Sequence, residues 1–287
     1  MKIGFIGAGK VGFSLGKFFS ENNVRVTGYY SRNQGSTEEA ASFTNSEAYY
    51  ELKDIISDSD ALFLTVPDSE INSVYEDIKA YNIVGKYLLH CSGAVSSTDV
   101  FGDIDKYGAF GLSIHPLFPF NDKYTAYRGL KDAFFCIEAR EKDAATLWEK
   151  ELGLLGLKTK NIWGKNKAEY HLACVYASNL VCSLFELSRR HLENCGFSHE
   201  EIFKALTPLA KSNLENILSV GPHKALSGPV ERGDKETVKK HLSLLSGREK
   251  DVYALLSITA TELAKQKQGD NGNIQDIKDF LEKEVLQ

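Results

Sequence analysis

On a stretch of helical periodicity that begins near residue 166, Lys167, His171, Cys174 and Ser178 recur at i, i+4, i+7 and i+11. That spacing puts them on one face, with Asn179 beside it. A Lys or His there can hand a proton to a carbonyl or imine as hydride arrives, while Ser or Asn orients the substrate. Polar groups on an otherwise apolar helix cost free energy unless satisfied, which marks His171 and Asn179 as purposeful. An internal hydrogen-bond network or a contact between subunits would satisfy them too, and Lys167, near the helix start, can stand simply solvated.

Hydride chemistry needs a carrier, and the chain opens on residues suited to hold one. Gly7-Ala8-Gly9-Lys10-Val11-Gly12 has the Gly-x-Gly-x-x-Gly spacing of a dinucleotide site and follows an apolar strand at residues 1–6. Gly7 permits the tight turn, Gly9 lets backbone approach a pyrophosphate, and Gly12 lets helix pack on strand. The free N–H groups and positive dipole end of the helix then face the phosphates. A second strand, residues 24–29, ends in Ser31-Arg32-Asn33 with no carboxylate. An Asp or Glu there would bind the ribose 2′-OH of NAD. Ser31 and Asn33 can instead donate to a 2′-phosphate and Arg32 can pair with it, so the expected cofactor is NADP(H).

Three more strand ends carry polar or proline-broken groups, and ligands of open α/β sheets sit at such ends. Thr65-Val66-Pro67-Asp68 would put Val66 and Pro67 beside the cofactor, with Asp68 either a ligand or, more in keeping with its position, a helix cap. His90-Cys91-Ser92-Gly93 offers Ser92 and Gly93 to nicotinamide or substrate, or is a plain turn. His115, before Pro116, faces the crevice as a catalytic candidate or is a satisfied structural histidine. Far along the chain, residues 226–234 form a loop in which Ser227 and Arg232 can bind a substrate carboxylate and Asp234 caps the next helix.

The elements that must position these groups alternate up to residue 163. Strands are expected at 61–66, 87–91, 110–115, 133–137 and 157–162. Helices are expected at 36–42 behind a Ser36-x-x-Glu39 capping box, at 52–57, at 68–80 and at 142–155. This pattern predicts an α/β fold with a doubly wound, mostly parallel sheet. Beyond it only helical periodicity remains: one helix over 166–195, roughly 45 Å long, then 198–218, 234–245, 249–267 and 274–286. The expected division is a nucleotide-binding domain at 1–164 and an all-helical C-terminal domain at 165–287. Residues 172–187 are apolar nearly all round, which calls for neighbours on several sides and predicts a homodimer through the helical domain.

Bulk properties narrow the partners. The net charge of -5 and the interspersed basic residues argue against nucleic acid. No apolar run is long enough for a membrane span, and the opening strand does not read as a signal peptide. Five cysteines, an odd number without C-x-x-C pairing, fit reduced thiols in the cytoplasm. The histidine spacings offer no metal site.

Taken in order, the groups at 7–12, 31–32, 65–68, 90–93, 115–120, 171–179 and 227–234 resemble two-domain oxidoreductases that join a Rossmann-like NADP domain to a helical C-terminal domain long catalogued without a function. The wider clan includes 6-phosphogluconate dehydrogenase, pyrroline-5-carboxylate reductase, ketopantoate reductase and the β-hydroxyacid dehydrogenases. The resemblance implies NADPH-linked reduction of a small carboxylate, with 2-dehydropantoate the first candidate and a cyclic imine acid the second. A non-catalytic NADP-sensing protein is the other expectation. The chain departs from the Lys-x-x-x-Asn pair of the hydroxyacid dehydrogenases, since His171 stands four residues after Lys167.

Overall fold

The computed structural model describes residues 1–269 and 271–285; Leu286, where the last helix was expected to end, lies outside them. Residues Met1–Ser183 and Leu184–Gln287 form two compact units. The division falls later than the point near 164–165 at which strands give way to helices.

In the first unit the strands are β1 (Lys2–Ile6), β2 (Arg25–Tyr30), β3 (Glu47–Tyr49), β4 (Ala61–Leu64), β5 (Tyr87–His90), β6 (Phe110–Leu117), β7 (Phe134–Ala139) and β8 (Lys158–Ile162). They form a single sheet in the order β3-β2-β1-β4-β5-β6-β7-β8. All pairings are parallel except β6 with β7. Between them run α1 (Lys10–Glu21), α2 (Gln34–Thr44), α3 (Leu52–Asp58), α4 (Ile71–Ile78), α5 (Ser97–Phe101) and α6 (Lys142–Leu154). Ala61, Leu62, Phe63 and Leu64 of β4 are all buried, as a strand covered on both faces must be. Phe5, Phe13, Phe19, Phe63 and Trp148 fill one face, and Ile55, Leu62, Leu64, Tyr75 and Phe101 the other. The sheet is therefore doubly wound and mostly parallel, as expected.

Several expectations are corrected. The short edge strand β3 was not foreseen. The cap of α2 is Asn33, whose Oδ1 accepts from Ser36 N at 3.0 Å, and not the Ser36/Glu39 box. Glu39 pairs with Lys123 instead, at 2.5 Å. Asp68 opens a short 3₁₀ turn, Asp68–Glu70, without capping it.

The expected helix over 166–195 is two helices, α7 (Lys167–Ala177) and α8 (Asn179–Asn194). Ser178 breaks them with φ -132 and ψ -76. Its hydroxyl donates back to Cys174 O at 2.6 Å, offering the backbone an alternative to helix.

The rest of the chain is helical: α9 (His199–Val220), α10 (Pro222–Ala225), α11 (Lys235–Ser243), α12 (Gly247–Gln268) and α13 (Gly272–Val285). The Ser198/Glu201 capping box of α9 and the Asp234 cap of α11 are present as expected. Val230, Val238, Leu242, Ala254, Ile277 and Leu281 form the core of the second unit. Among the described residues no helix is long and apolar enough to cross a membrane, and the cysteines are free thiols.

Candidate functional site

The sheet order brings the polar groups of the first unit onto one edge. From β2 through β1, β4 and β5 to β6, the carboxyl ends carry Arg32, Gly7, Thr65, Ser92 and His115 in spatial sequence. Four strand spacings of about 4.8 Å make this edge roughly 19 Å long.

The glycine turn is fixed from below. Gly7, at φ +110, donates its N–H to Tyr30 O at 2.8 Å. The Thr65 hydroxyl donates to Gly7 O at 2.7 Å. A Cβ on Gly12 would lie 2.3 Å from Thr65 Oγ1 and 2.6 Å from Gly7 O, so the helix–strand approach needs glycine there. A Cβ on Gly9 would meet nothing closer than Thr65 O at 3.9 Å, so the backbone is open on the ligand side. Gly9 is also the N-cap of α1 and supplies no side-chain acceptor, which leaves the first N–H groups free to bind an anion. Lys10, exposed at that end, donates to Asn121 O at 2.9 Å.

A cleft of about 310 Å³ runs from this turn past Ala8, Ser31, Arg32, Val66 and Pro67. Arg32 reaches across its mouth to Glu70 at 3.0 Å, with the arginine side chain 82% exposed. Sequence reasoning missed Glu70. Asn33 is only partly available to a ligand, because its Oδ1 serves the α2 cap.

Further along the edge, Ser92 is held rather than loose. Its hydroxyl donates to Asp68 Oδ2 at 2.7 Å and accepts from Ala94 N and Val95 N. Asp68 is thus the partner of Ser92. Gly93 lies under two rings: a Cβ there would stand 2.7 Å from His171 Cδ2 and 3.0 Å from His115 Nε2. The structure therefore brings His171, His115 and Gly93 together. Tyr170, not singled out from the sequence, bonds His115 Nδ1 through its hydroxyl at 2.6 Å.

Lys167 is buried rather than solvated, and its Nζ donates to Ser113 Oγ at 2.5 Å. Ser113 in turn donates to Ser92 O at 3.2 Å. A serine within the otherwise apolar run of β6 was the available sequence signal for this partner.

Burial dominates the electrostatics here. It pushes His115 down to about 4 and His90 down to about 3, with the Lys167 charge acting in the same sense. Both rings are neutral near pH 7. Desolvation also lowers Lys167, opposed by Cys136, Glu138, Cys91 and Asp68. The same effect raises the Cys91 thiol to about 12. A buried lysine with a depressed pKa beside two neutral histidines can deliver or accept a proton in a dry setting.

The remaining candidates are described by their own surroundings. Ser178 and Asn179 are exposed, and no hydrogen bond joins either to His115 or His171 among the described residues. Ser227 lines a cavity of about 490 Å³ in the second unit, with Leu184, Leu206, Leu209 and Ile217. Arg232 lies in the turn before α11, its N–H donating to Gly228 O at 3.1 Å.

Residues 1–116 match a Rossmann-like domain, and residues 133–260 match a domain of unknown function, DUF2520. No curated protein matches the chain. Among solved structures, protein TM1727 from Thermotoga maritima is 26% identical with a TM-score of 0.71, covering 93% of this chain and 99% of its own. A reductive aminase from Aspergillus terreus, in complex with NADPH and ethyl-5-oxohexanoate, is 14% identical with a TM-score of 0.62, covering 99% and 93%. An imine reductase from Bacillus cereus BAG3X2 is 12% identical with a TM-score of 0.55, over the same shares. The chain shares the fold of these solved structures, a Rossmann-like sheet followed by helices.

Proposed function

We propose that the chain is an NADPH-dependent reductase of a small carbonyl or imine compound. The observation that carries the reading is the continuous edge from Arg32 through the Gly7 turn to Ser92, Gly93, His115 and Lys167. When bound, the cofactor supplies a hydride to the carbon of C=O or C=N. The free N–H groups of α1 and Gly9 would hold its phosphates, and Ser31 and Arg32 its 2′-phosphate. Ser92, Gly93, Val66 and Pro67 would shape the path to the reactive ring.

The product oxygen or nitrogen needs a proton, and Lys167 is our choice of donor. Burial makes its ammonium readier to release that proton, and Ser113 holds Nζ in place. His171 and His115 would orient the reacting group over Gly93. Roles for Ser178 and Asn179, and for Ser227 and Arg232 on a substrate carboxylate, rest on the sequence pattern alone.

Of the two substrate classes, the imine is the better supported, because the similar solved folds include a reductive aminase and an imine reductase. 2-Dehydropantoate remains the named 2-oxo acid to try. We also propose a homodimer: Leu180, Leu184, Leu209, Leu214 and Leu218 of α8 and α9 are exposed, and a second copy would cover such apolar surface. Light scattering tests that assembly.

For the activity, NADPH absorbance is followed with cyclic imines, ketone–amine mixtures and 2-oxo acids including 2-dehydropantoate. Turnover of one class is expected. NADPH binding without turnover of any would favour a sensing protein.

A further inference from the structure

Two hydrogen-bonding arrangements can account for the 2.6 Å contact between Tyr170 Oη and His115 Nδ1. If Nδ1 carried the hydrogen, it would donate to the phenol oxygen, and the hydroxyl would then turn to the thiols beside it, Cys136 and Cys174. Thiol sulfur is a weak acceptor, whereas a neutral imidazole nitrogen is a good one. The stronger arrangement has Tyr170 donating to Nδ1, which places the ring hydrogen on Nε2.

The other side of the ring agrees. Among the described residues Nε2 has no hydrogen-bond partner, yet it is not one of the polar atoms sealed from solvent. It lies beside Gly93, 3.0 Å from where a Cβ would stand, so the neighbour on that side has no side chain to cover it. Burial keeps the imidazole neutral and the phenol protonated, and the charged or titratable groups around the ring include Lys167, His171 and His90 besides Tyr170 itself.

We infer that Tyr170 is a positioning residue whose hydroxyl fixes the tautomer of His115, so that His115 turns an Nε2–H donor toward Gly93 and takes there a carbonyl or carboxylate oxygen. An iminium N–H finds no acceptor at this nitrogen. A neutral imine nitrogen can accept from it; if the substrate reacts as an iminium, its own carboxylate or ether oxygen meets His115 while the C=N faces elsewhere. This assignment of the facing group rests on the reductase reading; the tautomer itself does not.

The test is the nitrogen-15 spectrum of the histidine rings in the full chain near pH 7, with His115→Gln identifying the resonances. A pyridine-type Nδ1 and a pyrrole-type Nε2 are expected in the unaltered protein. In Tyr170→Phe the two signals move toward a common averaged position while those of His90 stay. A pyrrole-type Nδ1 in the unaltered protein overturns the inference, and that spectrum decides even if the variant fails to fold. An unchanged His115 signature in a folded Tyr170→Phe overturns it as well. Acetate should shift the Nε2–H proton downfield and methylammonium should not. A spectrum unmoved by acetate, or moved by methylammonium, removes the acceptor assignment without touching the NADPH reading.

Discussion

Replacing Arg32 by Ala separates the phosphate-bearing cofactor from its unphosphorylated twin. Arg32 sits at the cleft mouth, 82% exposed, paired with Glu70 at 3.0 Å. A charged hydrogen bond to a 2′-phosphate is worth about 1.5–3 kcal/mol. Against it stands the loosened Glu70 pair, which at that exposure contributes about 0–1 kcal/mol. The net loss is about 0.5–3 kcal/mol, so Kd for NADPH rises roughly 2- to 150-fold. NADH, lacking the phosphate, should change by no more than about twofold. Glu70→Gln works in the opposite direction, because it frees Arg32 and removes a negative charge from the mouth; NADPH should tighten by a few-fold. Calorimetric titration of both nucleotides into the three proteins reads all of this. Equal weakening of NADPH and NADH in Arg32→Ala refutes the 2′-phosphate assignment.

Gly12→Ala drives a Cβ to 2.3 Å from Thr65 Oγ1 and 2.6 Å from Gly7 O, so stability should fall by about 1–3 kcal/mol in urea melts. Both nucleotides should bind more weakly, and unchanged stability would mean that the turn yields to a methyl group. Lys167→Met removes a buried amine, so the melting temperature should hold or rise while turnover drops about 100-fold or more; full turnover would reassign the lysine to structure. His171→Ala should lower turnover and leave NADPH affinity intact, and equal turnover would make His171 a packing residue. Stability should also fall in mild acid. His115 sits at about 4 when folded against 6.5 when unfolded. The unfolded chain therefore binds the extra proton, and this share of stability is complete above 6.5 and lost as pH falls toward 4. The drop corresponds to roughly 3 kcal/mol; His90, held at about 3, acts in the same sense, so His115→Gln should lessen the slope of the stability–pH curve across that window without abolishing it.

The sheet was legible because its strands are nearly uniform apolar runs bounded by glycine, proline and serine, a signal that residues 61–66 carry with little ambiguity. The glycine turn was legible for the same reason: three glycines in a strand-to-helix setting answer separate steric demands. β3 was not, being only three residues long. The break at Ser178 was hidden because helical periodicity continues across it, and one hydroxyl bonding backward decides the matter. Asp68 read as a cap from its local position, but Ser92, 24 residues away, claims its carboxylate. Glu70 and Tyr170 were missed in the same way. Their roles come from contacts with Arg32 and His115 that register and strand order create, and neighbouring residue types do not report such contacts. Lys167 stood with two readings, a catalytic group or a solvated lysine at a helix start, and its burial removes the second.

The most direct test of the account is isotopic. NADPH carrying deuterium at C4 of the nicotinamide is incubated with the protein and the imine and 2-oxo acid panel, and the products are weighed by mass spectrometry. The account predicts one deuterium on the reduced carbon of at least one product, transferred from a single face of the ring. NADPH that binds yet leaves every product unlabelled would contradict it.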